Sequence, residues 1–275
     1  MKVPGPPSAA DPAQSFDGLS RYLGARVTLR EDRSTEIVIP AADYALDPEG
    51  RHGDLAITCA IDIATGMASS MAGDSPGATL TSDMSIDLVA EPSPGELRTV
   101  GRVIKMGRRV IMNEAVVTDS TGSVVAFATA GCAPMAEISW DLHSDGFRPG
   151  TTVDLSSSEH THRPIATLYD MTPTVDVPAD APAPVASIEL NRLTANPFGF
   201  LHGAVGASLL LAGARRSGLQ QVSSITVRYL RPTTHGPADV IVDNTFGGGR
   251  GLKLSLRDRA TGKVACAAHV RGAPG

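Results

Sequence analysis

"DPEGRHGDLAITCAIDIATG", residues 47–66, and "NPFGFLHGAVGASLLLAGAR", residues 196–215, align without a gap. Pro48 meets Pro197, Gly50 meets Gly199, and two apolar runs of helical length coincide. The match continues downstream. "SDMSIDLVAEP" (82–92) resembles "SSITVRYLRP" (223–232), each an alternating strand closed by proline. "GRRVIMNEAVVTDSTGSVVAFATAGC" (107–132) parallels "GRGLKLSLRDRATGKVACAAHV" (249–270). In both, alternating residues lead into an Asp-to-Gly turn, Asp119–Gly122 and Asp258–Gly262, and then into another strand. Upstream, each half begins with a strand-like run, "GARVTLREDRSTEIVIP" (24–40) and "APVASIELNRL" (183–193).

Each half therefore reads as strand, loop, one long helix and three or more antiparallel strands. A stretch rich in Ser, Thr, Gly and Asp, with the lone Trp140, separates them. The predicted organisation is a first unit over 15–136, a connector over 137–163 and a second unit over 164–275. One helix cannot cover both faces of a bent antiparallel sheet. Two units side by side pair their edges and bury more surface, so the chain is expected to be a tandem duplication acting as an internal dimer.

Composition narrows the function. The 275 residues carry a net charge of −5 and few aromatics, which offers neither a nucleic-acid footprint nor a base-stacking platform. The short basic cluster Lys105, Arg108 and Arg109 reads as a solvated turn. No apolar run reaches membrane-spanning length, so no membrane contact is expected. The start, "MKVPGPPSAADPAQ", has no apolar core and reads as a disordered tail rather than a signal peptide. Cys59, Cys132 and Cys266 sit in apolar surroundings without metal-like spacing, as reduced thiols of a cytoplasmic protein do. The seven histidines do not cluster beyond the pair His160 and His162, so no metal site is expected.

"NPFGFLHGAV" before a helix, with "YLRP" closing the next strand, resembles the hotdog-fold acyl-CoA thioesterases of the phenylacetyl-CoA type. The family's loop reads Asn-Pro-x-Gly-x-x-His-Gly-Gly, with an Asp or Glu nine residues after the His. Here Ala204 stands in place of the second Gly. The resemblance covers nearly the whole chain, once per half. It implies an α+β double hotdog: two repeats, each a bent antiparallel sheet wrapped around one long central helix.

The two halves have lost complementary parts of that motif. Nine residues after His202 stands Leu211, so the second half lacks the acid. Leu211 aligns with Asp62 of the first half. Conversely, Asn196, His202 and Gly203 align with Asp47, Gly53 and Asp54, and the His-Gly of "RHGD" is displaced by one residue. A helix start and an acid eight residues on are about 12 Å apart along one helix, too far to touch one carbonyl. The resemblance implies antiparallel helices across the repeat interface, so the loop of one half faces the acid of the other. One composite site is then complete: Asn196, His202 and Gly203 with Asp62. The family also uses a Ser or Thr two residues before an Asp-Met pair. Thr81 holds that place before Asp83-Met84, and the second half has Val222.

Thioester hydrolysis needs donors for a developing oxyanion and a carboxylate to deliver or become the nucleophile. The Gly203 N–H at a helix N-terminus suits the first role. Asp62 suits the second, as general base on water or by direct attack to give an anhydride, and the residues leave both routes open. An unpaired acid among apolar residues is expensive to bury. Thr58, Thr65 and Ser69 share its helical stripe, so a hydrogen-bonded structural Asp is the competing reading. The resemblance gives His202 a loop-shaping rather than a proton-moving role. Asn196 either orients water or carbonyl, or caps its turn; Thr81 would hold the water. Arg228, Arg231 and Arg250 are candidates for the phosphates of coenzyme A, which enters as part of the substrate, with no metal or other cofactor expected.

The expected function is hydrolysis of an acyl-CoA, or related acyl thioester, to free acid and coenzyme A. Two other classes stay in view: a non-catalytic acyl-CoA binding protein, and a hotdog-fold enoyl-CoA hydratase or dehydratase. The hydratase type places Gly-Asp shortly before Asn-Pro and a His three residues after the Asn. This chain has Leu193-Thr194 before Ala195-Asn196, and its His comes six residues after. The sequence does not fix the oligomeric state; a homodimer would give four hotdog units.

Overall fold

The computed structural model describes residues 16–47, 49–72, 77–135, 147–156, 164–173 and 182–273. Residues 1–15, Pro48, Trp140, His160 and His162 lie outside the described residues. The first repeat opens with a short helix α1 (Gly18–Tyr22), then β1 (Arg26–Leu29) and β2 (Thr35–Ile39). Helix α2 (Asp54–Ser70) follows, and then β3 (Thr79–Leu88), β4 (Leu97–Lys105), β5 (Ile111–Thr118) and β6 (Val124–Pro134). After β7 (Thr152–Asp154) and a short helix α3 (Ile165–Leu168), the second repeat runs through β8 (Ala186–Ile188) and helix α4 (Gly203–Arg216). It ends with β9 (Gln221–Tyr229), β10 (Ala238–Phe246), β11 (Gly251–Asp258) and β12 (Lys263–Ala273).

Among the described residues twelve strands form one sheet in the order β7-β1-β2-β4-β5-β6-β3-β9-β12-β11-β10-β8. Read outward from the centre, both repeats follow the same path for five strands, and the first repeat adds β1 and β7. The repeats join where β3 pairs antiparallel with β9, from Asp83↔Arg228 to Asp87↔Ser224. The two long helices pack on the sheet and on each other. α2 is apolar almost all round, and fifteen of its residues are buried, because sheet covers one side and α4 the other.

The Asp-to-Gly turns explain why the repeats share a shape. Asp119 accepts the N–H groups of Thr121 and Ser123, which closes the β5–β6 turn, and that of Ser93 just after Pro92. Asp258 likewise accepts the Thr234 N–H, two residues beyond Pro232. Each carboxylate ties a hairpin turn to the loop behind the preceding strand, and Gly122 and Gly262 supply the positive φ of the turn.

One feature departs from the sequence reading. Residues 24–40 form a hairpin rather than one strand, turned at Asp32-Arg33, where Asp32 accepts the Ser34 N–H. Within the connector over 137–163, β7 pairs with β1, and Phe147 and Leu155 are buried. Cys59, Cys132 and Cys266 are buried free thiols. No helix among the described residues is long and apolar enough to cross a membrane.

Candidate active site

Asp62 lies midway along α2, buried among apolar and small residues, so its carboxylate must find partners beyond its own helix. It finds three. Oδ1 accepts the Thr81 hydroxyl from β3 at 2.6 Å, and Oδ2 accepts the Ala204 N–H from the start of α4 at 3.0 Å. His202 Nδ1 is 3.1 Å from the same Oδ2. The hydroxyls on its own stripe are used elsewhere. Thr58 donates to the Leu55 and Ala204 carbonyls, Thr65 to the Ile61 carbonyl, and Ser69 accepts from Asn113. The stripe that favoured a purely local structural Asp does not hold its carboxylate.

His202 is the N-cap of α4, and its N–H donates to the Thr194 carbonyl at 2.8 Å. Its Nε2 faces Asp17 Oδ2 at 3.4 Å. Asp17 is itself the N-cap of α1, accepting the Ser20 N–H at 2.7 Å. A carboxylate at each ring nitrogen favours the imidazolium, in which both nitrogens donate. The Ala204 N–H lies between Asp62 Oδ2 at 3.0 Å and Nδ1 at 3.2 Å, and in the imidazolium it goes to Asp62 alone. Burial opposes a charged His202, but Asp17 and Asp62 outweigh it and raise its pKa to about 10. Burial likewise opposes an ionised Asp17, yet His202 and Ser20 hold it down at about 2. Sequence reasoning missed Asp17. Its Asp-x-x-Ser spacing signals a helix cap, but nothing in it signals a histidine from the other repeat.

Gly203 is the first residue of α4, and among the described residues its N–H has no acceptor. A Cβ there would sit 2.7 Å from Asp62 Oδ2, so only glycine lets the helix start meet the acid. The Gly203 carbonyl accepts the Tyr229 hydroxyl at 2.8 Å. Tyr229 is half-buried, desolvation pushes its pKa well up, and the strand-end motif that contains it gives no sign of this contact. Asn196 Oδ1 accepts the N–H groups of Phe198 and Phe200, both at 3.0 Å, so it caps its turn. Ala204 contributes only its backbone N–H to Asp62, and the departure from Gly-Gly leaves that donor intact.

Asp62, Thr81, Asn196, Gly203, Tyr229 and Arg231 share one cavity of about 300 Å³, walled elsewhere by Met67, Leu80, Phe200 and Leu230. Arg228 lies in the strand leading to it and pairs with Asp83 at 3.0 Å. Arg250 is not part of this mouth. The register Gly251↔Arg271, Arg271↔Ser224 and Ser224↔Asp87 puts it near the far end of β3, about 20 Å from Thr81. The turn carrying Lys105, Arg108 and Arg109 lies at the Thr81 end instead, since Ile111 pairs with Cys132 and Cys132 with Thr81.

No protein-family profile and no curated sequence relative matches the chain. Solved structures do. An acyl-ACP thioesterase from Bacteroides thetaiotaomicron, 14% identical, covers 88% of this chain and 98% of its own with a TM-score of 0.57. The 12:0-ACP thioesterase from Umbellularia californica, 12% identical, covers 88% and 94% with a TM-score of 0.55. The chain is a double hotdog protein. At these identities the likeness concerns the fold.

The double hotdog is asymmetric at its second potential site. Gly53 caps α2 where His202 caps α4, and Asp54 takes the place of Gly203. Leu211, fully buried, takes the place of Asp62. The Asp54 carboxylate grips Arg215 of α4 through Nε and Nη2, each at 3.0 Å. His52, the displaced histidine, is held down at about 4 by burial and stays neutral. A cavity of about 320 Å³ lies there too, lined by Asp47, Asp54 and Tyr169, with no acid from α4 among its described residues.

Proposed function

We propose that the chain hydrolyses acyl-CoA thioesters to free acid and coenzyme A at one site per chain, built from both repeats. The observation that carries this reading is Asp62 of α2 beside the Gly203 N–H of α4, which has no acceptor among the described residues, on one largely apolar cavity. The Gly203 N–H, aligned with the helix dipole, receives the oxyanion as the carbonyl carbon is attacked. Asp62 removes a proton from water, and the resulting hydroxide attacks. The tetrahedral intermediate then expels the thiolate, which takes the proton from Asp62. In the competing route Asp62 attacks directly, expels the thiolate, and water hydrolyses the anhydride. Single turnover in ¹⁸O-water tests the second route: label on the Asp62 carboxyl marks an anhydride opened at the Asp62 carbonyl.

Thr81 is spent as a donor that orients Asp62, and the Asn196 amide is the second polar group facing the carbonyl. Arg231 and Arg228, with the Lys105–Arg109 turn at the same end, are the cations proposed for the coenzyme A phosphates. The reading calls for no metal or redox cofactor. Two full-length structural neighbours are acyl-ACP thioesterases by name, so acyl-carrier-protein thioesters belong in the same substrate panel. Free-thiol release from that panel, wild type against Asp62→Asn, tests the proposal. Cleavage by wild type that the substitution removes supports it. Absence of turnover favours a binding protein, and hydration of an enoyl-CoA would assign a lyase.

A further inference from the structure

The site contains a carboxylate that the proposed chemistry does not use. Asp17 is 7% exposed and stands on the opposite side of the His202 ring from Asp62. Its place is built with little slack. A Cβ on Gly18 would meet the Arg192 carbonyl oxygen at 2.5 Å, so α1 docks directly on the turn at residues 191–194. That same turn accepts the His202 N–H at Thr194. The second repeat has the matching short helix, α3, with Tyr169 in the place of Tyr22, but its cap is Pro164. The carboxylate occurs only in the repeat whose acid completes the site.

We propose that Asp17 is a positioning residue: it holds the His202 ring with Nδ1–H turned to Asp62, placing a fixed positive charge beside the reacting carboxylate. The proposal rests on Asp62 being the reacting acid. The other titratable groups packed around this pair are Cys59 on α2, Tyr169 beyond α3 and Tyr229 on β9. Burial raises each of them, so they stay neutral while His202 titrates. Without Asp17, His202 keeps one carboxylate partner and the same burial, and it loses its proton closer to neutrality.

The test uses the full chain with Asp17→Asn, Asp17→Ser and Asp17→Glu. Asn and Ser both preserve the helix cap without the charge. ¹⁵N chemical shifts of the His202 ring report its protonation whether or not any thioester turns over. Wild type is expected to show two protonated nitrogens up to pH 9. Both neutral variants should show a ring that deprotonates between about pH 6 and 8, with kcat/KM falling at least 10-fold across that range while KM changes little. Asp17→Glu should restore the wild-type profile in part. A doubly protonated ring in Asp17→Asn at pH 9 overturns the proposal, as does a kcat/KM profile parallel to wild type. If wild type cleaves no thioester, the proposed function fails, and the ring shifts still decide the role of Asp17.

Discussion

Nδ1 of His202 lies 3.1 Å from Oδ2 of Asp62, on helices that belong to different repeats. The contact exists only because α2 and α4 pack side by side under one sheet whose halves join at β3 and β9. Each helix brings what the other lacks: α2 an acid with no local donor for its carboxylate, α4 a helix start with unspent donors.

Replacing Asp62 by Asn should remove most thioester hydrolysis, with a loss on the order of 10²–10⁴ in kcat, the usual weight of a positioned general base. Asn can accept from Thr81, but its NH2 then faces the Ala204 N–H and His202, so the melting temperature should fall by several degrees while the protein still folds at 25 °C. Free-thiol release and a thermal melt measure both. Activity near wild type would remove Asp62 from the mechanism.

Gly203→Ala places a methyl group 2.7 Å from Asp62 Oδ2, and helix and acid must separate. The expected result is a drop of about 10²–10³ in kcat, comparable to losing an oxyanion donor, in a protein that still folds. Steady-state kinetics beside circular dichroism would show it. By contrast, Gly53→Ala, at the equivalent of His202 in the other repeat, has open space around it and should leave turnover unchanged.

Stability should depend on pH through the same cluster. His202 has a folded pKa of about 10 against 6.5 unfolded. Its stabilising contribution is therefore complete below about 6.5 and is lost as pH rises through 10. Asp17 has a folded value near 2 against 3.8, so its contribution is present above 3.8 and is lost as pH falls through 2. The melting temperature should decline from pH 7 to 10, and His202→Gln should flatten that decline. An equally steep decline in the variant would assign it to other groups.

The Asp54–Arg215 pair occupies the degenerate site and has side chains 22% and 37% exposed. Solvent screens it, so a double-mutant cycle with alanine at both positions should yield a coupling of about 0.5–1 kcal/mol. Thioester turnover should not change. Loss of turnover in Arg215→Ala would mean that the second cavity takes part in the reaction.

The repeat was legible because a buried helix and a Gly turn each demand particular residue types at fixed spacing. Ungapped alignment placed Asp62 opposite Leu211 and Asn196, His202 and Gly203 opposite Asp47, Gly53 and Asp54, and these pairs occupy matching points of α2, α4 and their loops. Asn196 shows the limit of that reading. Its type suits either a cap or a catalytic amide, and only the turn geometry shows that its carbonyl oxygen is spent on Phe198 and Phe200.

By itself, the sequence determined the duplication, the helix and strand periods and the complementary losses, since all of these are local patterns of residue type. Tertiary structure decided which groups meet. Asp17 reaches His202 because α1 docks on the turn at 191–194, Tyr229 reaches the Gly203 carbonyl across the sheet, and Arg250 is carried to the far end of the strands by register. Such pairings depend on packing between segments far apart in the chain, and on the cost of burying a charge alone, which local spacing does not encode.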